Sequence, residues 1–420
     1  MALKYSLGFD LGTTTVASVL IDNVKNAVIG QKSVLNLQYP DLGTDSIKRI
    51  QSGLDDISVI KLQEKAILTL NLLIEHFENN FNINPGEVGW IAIAGNTVME
   101  MALCGYPLIC MSKPPYKPTS DIIFPKKSNE LHFLDAKNAR LFIFPVLSGF
   151  VGGDVVSSIY YLNIHKSGKP VFFADFGTNV EIVIGNKDKI FTTSAPAGPA
   201  FEGGNIRFGM TAKDSAIYSI DLKNGVFGIN TIGSRTPEGI CGSGIIDLIA
   251  SLLREKIIDK NGRILPPELI DTESYSVVVP EKDGNQNEIV VYRDSITDIR
   301  FYQDDVRQFQ FAKSAVKSAA EIILEKFKLS VEDDFDVYIS GSFGSYIKPE
   351  NVDIVDIFPF KGKNIGFIMD SVLLGCGKYL LSSKGGRKKD ISVIMDISKN
   401  FPFSGSKLFE KHFIKNMVWQ

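Results

Sequence analysis

The sequence predicts an α/β protein of two domains with mixed central sheets, and two observations support this prediction. Strands and helices alternate along the 420 residues, which favours right-handed crossovers and sheets covered by helices. In addition, one strand-turn-strand pattern occurs twice, as YSLGFDLGTTTVASVLID from Tyr5 to Asp22 and as FFADFGTNVEIVIG from Phe172 to Gly185. In each copy an apolar strand ends at an aspartate, and a Gly-Thr turn follows. The repetition indicates a duplicated domain.

The first half is predicted to span residues 1–165. Apolar residues at spacings of three and four predict a helix with one buried face from Lys61 to Phe81. The loop from Pro107 to Pro125 is either a partner-binding or dimer surface or a solvated excursion, and the sequence leaves dimerisation open. The remaining predicted elements are strands near Tyr5–Asp10, Val16–Asp22, Ala27–Leu35, Trp90–Ala94 and Arg140–Val146, and a helix opened by Gly149 to Asp154 that ends at Leu162.

The second half is predicted to span residues 166–364 and to repeat the scheme. Its glycines mark the loops, and Asp283-Gly284 suggests a hairpin inside an insertion from Ser274 to Ile299. The other predicted elements are three strands from Val171 to Thr193, a helix from Gly242 to Leu253, a helix from Asp304 to Phe327 and a strand from Val337 to Ser340. Residues 365–420 are predicted as a helix from Ile365 to Leu381, a strand from Ile391 to Ile397 and a helix from Lys407 to Met417.

Charge and hydropathy exclude several classes of partner. The net charge is −3 with a pI near 5.9, and the longest basic stretch is GGRKK at residues 385–389. Nucleic acid and anionic membranes are therefore not expected as partners. The first residues enter a strand directly, and no apolar run reaches the roughly 18 residues of a membrane span. We expect a cytoplasmic location.

The two Asp-x-Gly-Thr turns predict a phosphate site. In the first, Asp10 precedes Gly12, Thr13 and Thr14; the corresponding residues of the second are Asp175, Gly177, Thr178 and Asn179. Such turns offer N–H groups and hydroxyls to a phosphate. Either turn alone also occurs in ordinary hairpins, whereas the pair is hard to attribute to chance. Two carboxylates facing one another across a cleft would suit Mg²⁺, which keeps several waters and binds few carboxylates.

These turns resemble the phosphate loops of the superfamily that contains actin, the heat-shock chaperones and the acetate and sugar kinases. Within this superfamily, several longer motifs of the chain are similar to those of the ATP-dependent reductive activators of corrinoid proteins. The resemblance covers nearly the whole chain, through the stretches AGNTVM (94–99), GFVGGD (149–154), DFGTNVEIVIGNKD (175–188), AGPAFEGGNI (197–206), GICGSGIID (239–247), DVRQFQFAKSAV (305–316) and VYISGSFGSYIKPEN (337–351).

The resemblance implies two actin-like, ribonuclease H-like domains with an interdomain nucleotide cleft, ATP and Mg²⁺ as cofactors, and a final helix that returns to the first domain. It matches Asp10 and Asp175 to the phosphate-loop aspartates. It also implies that the adenosine contacts come from Gly341, Ser342, Phe343 and Gly344, where the family usually has glycine in place of Ser342. Asp154 and Glu202 are candidates for orienting water or contacting the nucleotide, while Asp154 is alternatively a helix cap.

The family typically carries a cysteine-ligated iron-sulfur domain, and such a cluster needs four closely placed thiolates. The four cysteines, Cys104, Cys110, Cys241 and Cys376, form no C-x-x-C pair. We therefore expect no iron-sulfur cluster in this chain and an electron supplied by a separate ferredoxin-like protein. The implied function is ATP-dependent return of a Co(II) corrinoid protein to Co(I). Two alternatives stay open, a small-molecule kinase of the same fold and a non-catalytic nucleotide-binding module.

Overall fold

The computed structural model describes residues 3–114, 116–118, 124–131, 136, 138–280, 286–341 and 346–420. The chain forms two compact units. The first extends to Gly168 and includes Gly185–Ile190 and Asp370–Asn400; the second contains Lys169–Ile184, Phe191–Met369 and Phe401–Gln420.

The first unit is built on a five-stranded sheet. Its strands run in the order β3-β2-β1-β4-β5; β1 pairs antiparallel with β2 and parallel with β4. The elements are β1 (Tyr5–Leu11), β2 (Thr15–Asp22), β3 (Ala27–Leu35), α1 (Ser46–Gln51), α2 (Asp56–Phe81), β4 (Val88–Gly95), α3 (Thr97–Leu103), β5 (Arg140–Ile143) and α4 (Gly153–Leu162).

The second unit contains a sheet of the same order, with β16-β15-β6-β7-β8 as neighbouring strands. Parallel pairing joins β15 to both β6 and β16. The elements are β6 (Val171–Phe176), β7 (Val180–Gly185), β8 (Ile190–Ala195), β9 (Ala216–Lys223), β10 (Val226–Thr231), β11 (Gly239–Ile240), α5 (Gly242–Arg254), β12 (Val278–Pro280), β13 (Asn287–Arg293), β14 (Asp298–Phe301), α6 (Gln303–Phe327), β15 (Asp336–Gly341), α7 (Pro349–Ile354) and β16 (Ile365–Ile368).

The C-terminal elements are α8 (Ser371–Leu381), α9 (Lys384–Ile397), β17 (Ser398–Asn400) and α10 (Lys407–Lys415). Two predictions for this region are wrong. Residues 365–381 form a strand before the helix, because Asp370 with φ 53° ends the extended chain. Residues 391–397 are helical, since Arg387, Ile391 and Ile394 are buried at spacings of four and three.

Alternation along β1 directs its two faces to different helices. Leu7, Phe9 and Leu11 are fully buried and belong to the core that contains the apolar face of α2. Gly8 points the other way, and a Cβ at this position would lie 3.1 Å from Cys376 Cβ of α8. Asp10 shares the face of Gly8, because side chains alternate along a strand. Asp10 therefore lies on the α8 side of this sheet.

The predicted α/β class with mixed central sheets is confirmed, and the repeated turn directly follows an inner strand of each sheet, β1 in the first and β6 in the second. The sequence prediction omitted the β9-β10 hairpin, although Asn224-Gly225 was its signal: both residues have positive φ, 50° and 74°. The suggested turn at Asp283-Gly284 lies outside the described residues, between β12 and β13. Among the described helices, none has the length and apolar character to span a bilayer.

Candidate functional site

The first candidate phosphate loop connects β1 to β2 in the first unit. Asp10 is the penultimate residue of β1, where it pairs in register with Ala94 of β4. Gly12, Thr13 and Thr14 form the turn. Burial and then the charge of Asp10 raise the pKa of the Cys376 thiol, which therefore stays protonated. Asp10 is thus carried by the C-terminal end of β1, an inner strand of the sheet.

Three consecutive carbonyl groups of this loop accept hydrogen bonds from buried donors. Asn36 donates from Nδ2 to Gly12 O at 2.9 Å and from its backbone N–H to Thr14 O at 2.8 Å. Between them, Arg49 Nη2 donates to Thr13 O at 3.0 Å. In a trans peptide, the C=O and the following N–H point in opposite directions. The three following N–H groups therefore point away from these donors, which is the direction that a phosphate bound on the other side of the loop would require.

Side chains of the same loop are also fixed. Asn96, the N-cap of α3, donates from Nδ2 to Thr13 Oγ1 at 3.0 Å and accepts from the Met99 N–H with Oδ1. Gly12 is required by space, because a Cβ there would overlap the carbonyl oxygen of Thr15. The loop is therefore held by its own backbone and by α3.

A buried carboxyl group, that of Glu100, lies at the C-terminal end of β4, the strand next to β1. Glu100 of α3 is fully buried, and its Oε1 accepts from the Gly95 N–H at 3.0 Å. Among the described residues, Glu100 Oε2 has no hydrogen-bond partner. Burial and then the charge of Asp154 raise the pKa of Glu100 well above its usual range. Burial therefore favours the neutral form of Glu100.

Asp154 lies in the first turn of α4, which packs against Glu100. A Cβ at Gly153 would overlap Glu100 Oε1. Asp154 Oδ1 accepts from the Val155 N–H at 2.7 Å, while burial raises the pKa of Asp154 to about 6. Gly152, rather than Asp154, is the N-cap of α4. The first unit thus brings two carboxyl groups with raised pKa values close to one another.

The second candidate phosphate loop connects β6 to β7 in the second unit. Asp175 lies near the end of β6, followed by Gly177, Thr178 and Asn179, and the Gly177 N–H donates to Asn179 O at 2.9 Å. A Cβ at Gly177 would meet only Asn179 O, at 3.5 Å. Unlike Gly12, this glycine is therefore not required by packing within the described chain.

Glu202 lies directly beside the second loop. Thr178 Oγ1 donates to Glu202 Oε2 at 2.9 Å. Burial raises the pKa of Glu202, and the Thr178 hydroxyl only partly offsets that effect. The glycine-rich segment that follows positions this residue, since Gly203 has φ 84° and ends the short turn Pro199–Glu202. A carboxyl group on a fixed turn is thereby hydrogen-bonded to the loop.

Gly341 ends β15 beside Phe176, the residue after Asp175. Its φ is 118°, and a Cβ there would overlap the Phe176 carbonyl oxygen, so only glycine fits this approach of two strands. The candidate adenosine residues Ser342, Phe343 and Gly344 lie outside the described residues. The start of that motif and the second phosphate loop therefore occupy neighbouring strand ends.

Sequence reasoning missed three residues that contact the first loop, Asn36, Arg49 and Asn96, and the buried Glu100 at the end of β4. Asn96 and Glu100 follow the buried strand β4, and a polar residue at a strand end was an available signal. Arg49 lies in a short amphipathic helix beside Lys48, and no local pattern separates the buried cation from the exposed one. The fold brings Asn36 and Arg49 to the loop from 24 and 36 positions away.

Each candidate loop has a carboxylate of a type that can bind Mg²⁺ together with a nucleotide. In the described part of the chain, no three Asp, Glu, His or Cys side chains converge as a protein-only metal site. Mg²⁺ bound with a nucleotide needs only one or two carboxylates, because phosphate oxygens and waters complete its octahedron. Asp10 and Asp175, each at a strand end beside a phosphate loop, are of the required type.

Comparison with known families matches both parts of the chain. The model of the C-terminal domain of RACo, the ASKHA domain, matches residues 169–420, and that of the RACo middle region matches residues 5–167. The solved structure of a reductive activator for corrinoid, iron-sulfur protein has a TM-score of 0.83 and 29% identity, covering 99% of this chain and 66% of that one.

Two curated proteins are similar in sequence. The corrinoid activation enzyme RamQ of Eubacterium limosum is 30% identical over 387 residues, covering 90% of this chain and 65% of RamQ. The [Co(II) methylated amine-specific corrinoid protein] reductase of Methanosarcina barkeri is 22% identical over 395 residues, covering 86% of this chain and 67% of the reductase. The chain thus spans about two thirds of the length of these relatives.

Proposed function

Since the chain belongs to the RACo family, we propose that it is an ATP-dependent reductive activator of a corrinoid protein. It binds and hydrolyses ATP and thereby assists the return of an inactive Co(II) corrinoid to Co(I). Water converts ATP to ADP and phosphate, and one electron from a donor reduces the cobalt. The named relatives are a corrinoid activation enzyme, a corrinoid protein reductase and an activator, which supports this substrate class.

The observation that carries ATP binding is the arrangement of the first loop. Three successive carbonyls accept hydrogen bonds from Asn36 and Arg49, so the N–H groups of the same peptides are oriented before the ligand arrives. Oriented N–H groups need no reorganisation when a phosphate binds. In the second loop, the Gly177 N–H and the Thr178 hydroxyl already donate to Asn179 O and Glu202 Oε2, so a phosphate there would have to replace these hydrogen bonds.

Magnesium supplies charge neutralisation at the phosphates when it is bound. Asp10, in the first unit, and Asp175, in the second, are the carboxylates we assign to Mg²⁺, and each would contact the ion through water. Phosphoryl transfer depends mostly on positioning and charge neutralisation. Asp154 and Glu202 are the groups we assign to water, because burial raises the pKa of both carboxyls and each lies beside a loop or a helix start.

The electron reaches cobalt from a redox centre outside these 420 residues, such as a ferredoxin-like domain or protein. Cys241 and Cys376 are buried, and Cys104 and Cys110 are partly buried; burial raises the pKa of Cys104 and Cys376, which disfavours the thiolates that a cluster requires. ATP contributes by favouring one conformation over another, and its differential affinity for the two sets the available work.

Phosphate release with and without a corrinoid protein tests the proposal directly. Candidate partners are a methylated amine-specific corrinoid protein and a corrinoid iron-sulfur protein, each oxidised to Co(II). We expect a cognate partner to change the rate of phosphate release. We also expect the Co(I) absorbance only when ATP and a low-potential donor are both present. Calorimetry with a non-hydrolysable ATP analogue should show reciprocal coupling, because each ligand must alter the affinity for the other by the same factor.

The same measurements distinguish the alternatives. Transfer of the γ-phosphate to a small molecule from a metabolite panel would establish a kinase instead. Nucleotide binding without phosphate release, with or without any partner, would indicate a regulatory module. Cobalt reduction without an added donor would show that the electron path is wrong while leaving ATP binding intact.

A further inference from the structure

Arg49 is a fully buried arginine directly beneath the first phosphate loop. Its Nη2 donates to Thr13 O at 3.0 Å and to Gly43 O at 2.7 Å. Its Nη1 donates to Gln38 Oε1 and contacts Met99 Sδ at 3.3 Å. The guanidinium thus joins the loop to the segment before α1 and to α3.

All of these acceptors are uncharged. Within the described residues, no carboxylate forms an ion pair with Arg49, and its Nε has no hydrogen-bond partner. The carboxylate of Asp45 acts at longer range and accepts from the Lys48 N–H at 2.9 Å as the cap of α1. Burial lowers the pKa of Arg49 to about 10, so the side chain is a cation at neutral pH. Burying a cation without an anionic partner is unfavourable.

Buried arginines normally have a carboxylate or phosphate partner, because the guanidinium fork matches two oxygens. One hydrogen bond from Arg49 ends on the loop backbone, at Thr13 O. The N–H on the other side of that peptide bond, which belongs to Thr14, points the opposite way. An anion at this N–H group would experience the charge of Arg49 through protein, where screening by salt is weak.

We propose that Arg49 is a positioning residue for polyphosphate, which orients the Thr13 peptide from beneath and whose buried charge is neutralised when the phosphates bind. The ligand class is a nucleoside triphosphate or another polyphosphate with adjacent charges at the loop. The inference rests on the proposed function in taking ATP as that ligand. The inference adds that the ratio of ATP affinity to AMP affinity depends on Arg49, which does not contact the phosphates directly.

The test compares Arg49→Met and Arg49→Lys with Lys48→Met as the matched control. Lys48 is the adjacent cation of α1, its side chain is 60% exposed, and its Nζ lies 3.8 Å from Asp45 Oδ2. Its loss removes the same net charge as Arg49→Met while leaving the hydrogen bonds of Arg49 in place. Calorimetry measures binding of AMP, ADP, a non-hydrolysable ATP analogue and inorganic tripolyphosphate, each with Mg²⁺, at low and high salt. Circular dichroism confirms that each variant is folded.

We expect Arg49→Met to weaken binding of the ATP analogue and tripolyphosphate by about tenfold or more, and AMP binding far less. The loss should persist at high salt because the charge is buried. Arg49→Lys should retain part of the affinity, since it keeps the charge but not the fork. Lys48→Met should behave as the wild type.

Two results would overturn the proposal: equal losses for AMP and the ATP analogue, or analogue affinity in Arg49→Met that matches Lys48→Met. If Arg49→Met fails to fold, the ratio of ATP-analogue to AMP affinity in Arg49→Lys decides, and a wild-type ratio contradicts the inference. If the wild-type protein itself binds no polyphosphate, the proposed ATP site fails as well. Wild-type binding with an insensitive Arg49 would refute only this inference.

Discussion

Thr178 Oγ1 donates a 2.9 Å hydrogen bond to Glu202 Oε2, so the second phosphate loop is joined to a carboxyl group whose pKa is raised by burial. Glu202→Gln removes the ionisable carboxyl group but keeps an oxygen that can accept from Thr178, so it tests the carboxyl group separately from the hydrogen bond. We expect Glu202→Gln to reduce phosphate release by about 100-fold with nearly unchanged ATP affinity, because a positioned acid or base contributes about that factor. Steady-state phosphate assays and calorimetry measure the two quantities.

The stability of Glu202→Gln provides the control. A carboxyl whose folded-state pKa is raised stabilises the fold below its unfolded pKa, and this contribution is lost as pH rises through the folded value. Glu202→Gln should therefore unfold at a higher temperature than the wild type near pH 7.5, and the difference should shrink in acid. A mutant that is destabilised and inactive together would assign Glu202 a structural role.

Gly177 and Gly12 occupy equivalent turns but differ in their surroundings. A Cβ fits at Gly177, where its nearest neighbour is Asn179 O at 3.5 Å, whereas a Cβ at Gly12 overlaps Thr15 O. We expect Gly177→Ala to leave stability unchanged or raise it by about 0.4–1 kcal/mol while weakening ATP binding. Gly12→Ala should lower stability by about 1–3 kcal/mol. Wild-type ATP affinity in Gly177→Ala would argue against a phosphate at that turn.

Asp10 and Asp175 are tested by the exchange of carboxylate for amide. Each mutant keeps side-chain volume and loses the charge assigned to the water shell of Mg²⁺. We expect Asp10→Asn and Asp175→Asn each to reduce phosphate release on the order of 100-fold or more and to require a higher Mg²⁺ concentration. Thermal unfolding should remain cooperative. Phosphate release near the wild-type rate in either folded mutant would remove that aspartate from the metal site.

A site residue could be predicted from the sequence when it lies close to the turn along the chain, but not when only the fold brings it there. Asp10 and Asp175 could be predicted because each lies within a few positions of its turn, and a local pattern carries the chemistry. Asn36 and Arg49 could not, since the return of the chain after β3 brings them beneath the loop. The error at residues 391–397 has a related cause: a short apolar run suits a strand or a helix, and packing of Ile391 and Ile394 decided for the helix.

Glu100 and Asp154 lead to a prediction about pH. Burial raises the pKa of Asp154 to about 6 and that of Glu100 well above its usual range, so ionisation of either opposes folding as pH rises through its folded value. Asp154→Asn should gain thermal stability over the wild type above pH 6 and match it near pH 4. Its phosphate release should lose the limb of the pH profile that titrates near 6. An unchanged profile would exclude Asp154 from turnover.

For Glu100, two substitutions separate the effect of its charge on stability from the effect of its hydrogen bond: Glu100→Gln and Glu100→Ala. The glutamine keeps an acceptor for the Gly95 N–H and resembles the neutral acid, so its stability at pH 7 should equal or exceed that of the wild type. The alanine leaves the N–H unpaired and opens a cavity, which should cost about 2–4 kcal/mol. Equal destabilisation by both substitutions in urea titrations would show that Glu100 is ionised in the fold.

Two buried lysines of α6, Lys313 and Lys317, lie beside one aspartate, Asp356, in the second unit. Their distances to its carboxylate differ, and this difference gives the final prediction. Lys317 Nζ lies 2.7 and 2.8 Å from the Asp356 oxygens, whereas Lys313 Nζ lies 3.4 Å from the nearer one and donates to Val418 O at 3.1 Å. Lys313 is therefore the excess cation. Burial lowers its pKa to about 8, so its protonation opposes folding. Stability should rise with pH from about 8 toward 10.5 as the unfolded chain alone retains the proton.

Lys313→Met should consequently be at least as stable as the wild type at pH 7 and should lack that rise. Lys317→Met and Asp356→Asn should each cost about 3–5 kcal/mol, because each leaves a buried charge without its close partner. Urea denaturation from pH 7 to 10 measures all four proteins, and comparison of Lys313→Met with Lys317→Met is decisive since both lose one cation from one helix. If the two are destabilised equally, the charges are shared evenly over Asp356 and Lys313 is not in excess.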